Sequence, residues 1–314
     1  MSAVVTGERR GAAPSAIEAA AARLGRLARR DEPIGERTTY RVGGAAALFV
    51  ELDGPAALEA VAAAVAESGI PVLVLGCGSN LLVADGGFPG LCVQLGGAYE
   101  ALEVRPSGLV VAGGAVRYPV LARQCATAGM GGLSWAVGIP GSVGGAVRGN
   151  AGGHGCDTAS RLVAATVVDL ATGELARRSV AELGLSYRRS RCRPTEVVVA
   201  AELEGEPGAD PAVLAGEIAD IVAWRRVHQP GGRNAGSVFV NPDGDAAGRL
   251  VEAAGCKGLR VGTAAVSDKH ANFVQADAGG SADDVRRLID EVRRRVADRL
   301  GVELRTELQL VGFA

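Results

Sequence analysis

Residues 138–155 read GIPGSVGGAVRGNAGGHG, and eight of these eighteen positions are glycine. Glycine loses more backbone freedom on folding than any other residue, so the cluster is costly unless the backbone itself has a task. A second turn of the same kind, GCGSN at 76–80, follows the apolar run PVLVL. Neither is a P-loop, because no Lys-Ser or Lys-Thr pair closes it, and Leu81 stands where a dinucleotide fingerprint needs its third glycine. Tight glycine turns still make anion-binding nests from successive backbone N–H groups. Ser79, Asn80, Ser142 and Asn150 would add side-chain donors, and the bland alternative is a pair of crowded loops in a chain with 46 glycines.

Working outward, AALFVEL (46–52) reads as a strand and PAALEAVAAAVAES (55–68) as a helix. Pro55 opens its first turn, Leu58, Val61 and Val65 share one face, and Gly69 stops it. Short strands are expected around LLVAD, LCVQL and LVVAG, and a helix near Pro119–Ala128. LVAATVVDLATGELARRS reads as a hairpin turning near Thr172–Gly173, and EVVVAAELE as a further strand. EGEPGADP around residue 207 has the composition of a linker. Beyond it come a helix to about His228, the loop QPGGRNAGS, the short helix AAGRLVEAAG and a long helix at Ser281–Leu300. That last helix carries Val285, Leu288, Ile289, Val292 and Val296 on one face. The chain closes in an alternating strand, ELRTELQLVG. Near the other end, Ser15 and Glu18 suggest a capping box opening a helix over 15–30 that packs loosely on the body. Strands grouped with flanking helices indicate an α+β chain or mixed α/β layers.

A chain of 314 residues with 48% apolar content can bury a large core, and its formal net charge of −2 argues against nucleic-acid or membrane-surface partners. No window supplies the roughly 18 uncharged apolar residues that span a bilayer, and the start lacks a signal-peptide core, so a cytoplasmic protein is expected. The six cysteines include no CxxC pair, which fits neither a zinc site nor a secreted disulfide framework, and no metal is expected. Lysine occurs only at Lys257 and Lys269.

Six motifs, TTYRVGG, GCGSNLLV, the glycine stretch itself, YRRS, GSVFVNP and VSDKHANF, stand in the order found in the UDP-N-acetylenolpyruvoylglucosamine reductases. Over residues 30–312 the chain resembles that family, flavoenzymes of peptidoglycan precursor synthesis. The resemblance implies a two-lobed vanillyl-alcohol-oxidase-type (PCMH) FAD-binding fold plus a C-terminal α/β substrate-binding domain. The expected divisions are a helical arm (1–36), the FAD-binding domain (37–206, lobes 37–100 and 101–206) and the substrate domain (207–314). FAD and NADPH are the implied cofactors, UDP-N-acetylglucosamine enolpyruvate the substrate, and a monomer the implied state.

Carried over residue by residue, the resemblance assigns FAD contacts to Arg41, Gly43, Gly76, Gly78, Ser79, Asn80 and Leu81. In the longer loop it assigns them to Gly138, Ile139, Pro140, Gly141, Ser142, Gly144, Gly145, Asn150, Ala151 and Gly152. Ser237 becomes the proton donor, although by itself it reads as a loop or capping serine. Arg188 becomes the fork for the substrate carboxylate, against the plain reading of a solvated arginine beside Arg189 and Arg191. Glu307 would orient Arg188 or act protonated, whereas strand alternation puts it on a solvent face with Glu303, Arg305 and Gln309. Tyr187, Asn241, Lys269, His270 and Asn272 are the implied substrate contacts. His154 raises a covalent flavin link, for which no second attachment residue is evident. Val240 replaces a lysine common in the family, and the short stretch between Arg188 and Ser237 leaves no room for a tyrosine-bearing lid. A flavin oxidase of the same superfamily and a non-catalytic relative are the competing readings.

Overall fold

AALFVEL folds as the strand Ala46–Leu52, five of its residues buried, Ala47 half-buried and only Glu51 exposed, because it lies inside a four-stranded sheet. The order across that sheet is Arg29–Glu32, Ala46–Leu52, Phe88–Leu95, Val72–Leu75. The two pairings of 46–52 and 72–75 with 88–95 are parallel, so a crossover must join 46–52 to 72–75, and the helix Pro55–Ser68 is that crossover. Pro55 starts it, and Gly69 ends it in the left-handed region at φ 65°, donating its N–H to Val65 O. The computed structural model of the protein describes residues 13–313.

The second sheet is wholly antiparallel, in the order Leu175–Ser179, Leu162–Asp169, Glu196–Glu204, Leu109–Gly113, Leu102–Val104. EVVVAAELE is nearly continuously apolar because both faces are covered. Val197 and Val199 join the core around Leu58 and Val61, while Val198, Ala201 and Leu203 join the core around Leu121 and Val143. The third unit is a small antiparallel sheet, Arg260–Val261, Ala264–Val266 and Val274–Ala276, under the helix Ala282–Leu300. The five apolar residues expected on one face of that helix are all fully buried.

Four expectations need correction. The first helix runs Pro14–Leu24, and Pro14 at its first position moves the start ahead of Ser15, so no capping box forms and Glu18 forks onto Arg30 instead. Residues 29–32 leave the helix to pair with Ala46–Leu52, and Ile34 is fully buried, so the division at 36 cuts through the first lobe. Ala20 and Leu24 are buried against the helix 55–68, which makes the packing firm; residues 1–12 of the expected arm lie outside the described residues. The helix Pro211–His228 buries Leu214 and Ile218 in the core of the second lobe, so the division expected at 206/207 falls one helix early.

The expected final strand is short. Only Gln309–Val311 is a strand, parallel to Leu81–Val83 of the first lobe, while Thr306 bridges Phe239. Glu303, Arg305 and Gln309 are exposed as alternation requires, but Glu307 is not. The C-terminal unit is held to the first lobe a second time by Asp85, whose carboxylate accepts from Ser281 Oγ, Ala282 N and Asp283 N and so caps the long helix. Asp85→Ala should lower stability by about 1 kcal/mol, read as a lower urea midpoint. A midpoint that stays put would mean that Ser281, which accepts from Asp284 N, caps the helix alone.

Candidate active site

The two glycine turns face each other. A Cβ on Gly76 would meet Ser142 Oγ at 2.8 Å, and one on Gly141 would meet Ser79 Oγ at 3.3 Å. Ser142 caps the helix Val143–Gly149, its Oγ accepting from Gly145 N at 3.3 Å. Asn150 ends that helix at φ 41° and is 2% exposed. Its Nδ2 donates to Ser186 O and Asp157 Oδ2, and its Oδ1 accepts from Ala159 N. The expected side-chain donors Asn80 and Asn150 therefore serve the protein: Asn80 Nδ2 donates to Glu307 O at 3.1 Å. Leu81 belongs to the core of the first lobe.

The glycines fall into two groups. Gly43 and Gly78 hold positive φ against Val83 O and Thr38 Cα, and a Cβ on Gly144 would lie 2.8 Å from Val198 O and 3.1 Å from Gly114 O. Those positions are glycine because the chain's own backbone occupies the space. Gly141 and Gly145 meet only serine hydroxyls, at 3.3 and 3.4 Å, so the protein does not fill the space in front of them. Gly141 lines a cleft of about 690 Å³ shared with Cys77, Arg41, Arg117 and Arg233. These three arginines have no acidic partner among the described residues, whereas Arg37 at the same cleft is paired with Glu32. A glycine cradle beside unpaired guanidinium groups suits an anionic dinucleotide such as FAD. Of these cations only Arg41 was expected. Arg117 and Arg233 carry no local signal, since the fold brings residues 41, 117 and 233 together from distant parts of the chain.

At the far end of the loop, Arg188 sits at φ 57°, an uncommon conformation for a side-chain-bearing residue. Its Nη2 donates to Gly152 O at 2.9 Å, and its Nε lies 2.9 Å from Glu307 Oε1. The Nε–H is not aimed at that oxygen, so the contact is an ion pair rather than an aligned hydrogen bond. Glu307 N donates to Val238 O at 2.8 Å, and Ser237 bridges Phe273 in the adjoining backbone pair. Arg188 of the second lobe and Glu307 of the C-terminal unit thus meet as an ion pair, and Ser237 stands next in the chain to the residue whose carbonyl accepts from Glu307 N. Burial pushes the Glu307 carboxyl above the ordinary carboxylate range, and the Arg188 charge pulls it part of the way back.

A family model for an FAD binding domain matches residues 46–179, and one for the UDP-N-acetylenolpyruvoylglucosamine reductase C-terminal domain matches residues 227–311. The reductase of Rubrobacter xylanophilus is 43% identical over 92% of this chain and 97% of its own length. That of Symbiobacterium thermophilum, numbered 2, is 42% identical over 90% and 92%. This chain belongs to the UDP-N-acetylenolpyruvoylglucosamine reductase family. The crystal structure of the Thermus caldophilus reductase superposes with a TM-score of 0.76 at 33% identity, covering 89% of this chain and 97% of that one. The architecture is accordingly the two-lobed FAD-binding fold with a C-terminal domain. The C-terminal family model begins only where the helix 211–228 ends, in keeping with that helix's packing into the second lobe.

Several implied substrate contacts of the reductase family are otherwise engaged here. Asn272 is 3% exposed, and its carboxamide clamps Phe239, accepting from Phe239 N and donating to Phe239 O at 2.9 Å each. His270 accepts from Asn272 N through Nδ1, and burial pushes its imidazole pKa down. Lys269 Nζ donates to Arg226 O at the end of the helix 211–228, and Asn241 Oδ1 accepts from Ala247 N at a helix start. Tyr187 remains 57% exposed beneath the Arg188 guanidinium. His154 packs edge-on against Trp224.

Two outcomes follow from this geometry. Gly141→Val should fold, by circular dichroism, yet lose most of its flavin, whereas Gly144→Val should unfold more easily; a yellow Gly141→Val would take the cofactor out of this cradle. Because Glu307 titrates above its unfolded value, its contribution to stability is full below the ordinary carboxylate pKa and is lost as pH rises through the folded value. Glu307→Gln should therefore gain in melting temperature relative to wild type as pH rises across that window. A difference independent of pH would mean that Glu307 is not buried as a carboxyl.

Proposed function

We propose that the protein reduces the enolpyruvyl ether double bond of UDP-N-acetylglucosamine enolpyruvate, giving UDP-N-acetylmuramate for peptidoglycan, with NADPH as reductant. The observation that supports this reading is the Arg188–Glu307 ion pair, which is tied to both glycine turns through Gly152 O and Asn80 Nδ2, with Ser237 one residue from the Val238 carbonyl that accepts from Glu307 N. FAD, when bound, supplies the hydride that reaches C3 of the enolpyruvyl group. Gly141 and Gly145 would admit it, and Arg41, Arg117 and Arg233 would face its diphosphate.

Arg188 is the group for the substrate carboxylate. Gly152 O and Glu307 already fix two of its nitrogens, so the remaining fork edge is aimed before substrate arrives, and it meets charge as that carboxylate becomes enolate-like. Glu307 positions Arg188 through their ion pair, and burial raises its carboxyl pKa from the ordinary value while the Arg188 charge opposes that rise. Ser237 delivers the proton to C2, completing the addition of hydride and proton, and recovers it from solvent. On this reading the enzyme acts as a cytoplasmic monomer on two nucleotides, with no nucleic-acid or membrane partner.

In Ser237→Ala, NADPH should bleach the flavin band at a near-normal rate, while its return on adding the enolpyruvyl substrate should slow by about 10²–10⁴-fold, the usual worth of a positioned acid. Stopped-flow traces of the two halves decide it. Equal slowing of both would make Ser237 a structural serine.

A further inference from the structure

The helix Pro211–His228 ends in a group of side chains that neither the fold nor the proposed chemistry uses. Trp224 is 47% exposed although it is the kind of residue that a helix ordinarily buries. Its indole stacks on His228, with ring centroids 4.4 Å apart and planes 19° from parallel. His228 Nδ1 is bonded to Trp224 O at 2.8 Å, which locks the pair. His154, at φ 54°, closes the group edge-on, 5.2 Å from Trp224. Burial, and then the Arg225 charge, push the His154 pKa down.

Arg225 supplies an independent observation. It is partly buried, yet among the described residues it makes no ion pair, and its Nε donates only to Gln229 Oε1. A partly desolvated guanidinium without a counter-ion is costly, and an anion arriving there relieves the cost. The position of the group matters too. A Cβ on Gly138, the first residue of the glycine loop, would lie 3.0 Å from His154 Cδ2. His154 is two residues from Gly152, the carbonyl that anchors Arg188, and Lys269 from the C-terminal unit reaches the same helix end at Arg226 O. The cleft assigned to the flavin is lined further along the same loop by Pro140 and Gly141, and not by Trp224, His228 or His154.

We propose that the Trp224–His228 pair is a stacking platform for the nucleobase of a nucleoside diphosphate at the rim of the active site, with Arg225 facing its phosphates. The ligand class is that of both reactants, a UDP-sugar and NADPH, so the inference rests on the proposed function for the identity of the ligand but not for the existence of the site. A stacked base and a nearby guanidinium recognise either nucleotide by the same chemistry.

Titration calorimetry on the FAD-loaded protein tests it, with UDP and NADP⁺ as separate probes and with the Trp224→Ala, Trp224→Phe and Arg225→Gln variants. Trp224 is exposed, so its replacement should leave flavin content unchanged. Trp224→Ala should weaken one probe by about tenfold, the usual scale for a lost base–aromatic stack, and Trp224→Phe should restore most of that loss. Arg225→Gln should weaken the same probe. Loss confined to UDP assigns the platform to the sugar nucleotide, and loss confined to NADP⁺ assigns it to the reductant. Unchanged affinity for both probes in Trp224→Ala overturns the proposal. A protein that binds UDP through Trp224 but fails to turn over the enolpyruvyl substrate would sink the proposed function and leave the platform standing.

Discussion

The parallel pairing of Gln309–Val311 with Leu81–Val83 is the constraint on which the site depends. It joins the last strand of the chain to the strand that leaves the first glycine turn, and it fixes the residues just before it. Gln309 N donates to Asn80 O, Asn80 Nδ2 donates to Glu307 O, and Glu307 N donates to Val238 O. Glu307 is thus held by its backbone on both sides before its carboxylate meets Arg188. Gly312 continues the clamp, since a Cβ there would fall 1.9 Å from Gly87 O. A C-terminal domain that merely hung from a linker would leave that carboxylate with no defined place.

Arg188 shows what such a clamp must offset. A left-handed conformation costs an L-residue roughly 1–2 kcal/mol, and strain of this kind persists only where surroundings over-determine it. Here the Gly152 carbonyl, the Glu307 carboxylate and the Tyr187 ring all fix the guanidinium. The partners come from the glycine loop and the C-terminal segment, so the same contacts that hold Arg188 also tie the lobes together. Its strain is the cost of aiming a cation at a point reached from three parts of the chain.

Locally encoded features were readable from sequence, and features made by distant pairing were not. AALFVEL, EVVVAAELE and the Pro55–Gly69 helix carry their own periodicity and stop signals, and they fold within those bounds. The glycine loops announced a close approach through composition alone. Alternation placed Glu307 in solvent because it assumes one continuous strand, whereas the segment changes partner between Thr306 and Gln309. Asn272 sat in a motif that points to a substrate contact, but its carboxamide completes the backbone pairing of Phe239. Arg117 and Arg233 reach the cleft only through the fold, and Trp224 was hidden in a helix whose exposed face is unusually apolar.

The division among the glycines extends the same reasoning to the cofactor. A glycine required by its own chain has backbone atoms within contact of the missing Cβ, as at Gly43, Gly78 and Gly144. At Gly141 and Gly145 no backbone atom stands there, only a serine hydroxyl, so the chain's own backbone does not require glycine at either position. Both kinds alternate along one loop, so the residues that shape the backbone and those that leave room for the visitor are neighbours. Gly144 presses the loop's helix against the second sheet at Val198 and Gly114, and that contact fixes where Gly141 and Gly145 present their empty faces. The second lobe therefore places the cradle, and the first lobe closes it through Ser79 and Gly76. Neither lobe alone makes a surface that fits an anionic dinucleotide, which is why the cluster of glycines lies where the two lobes meet.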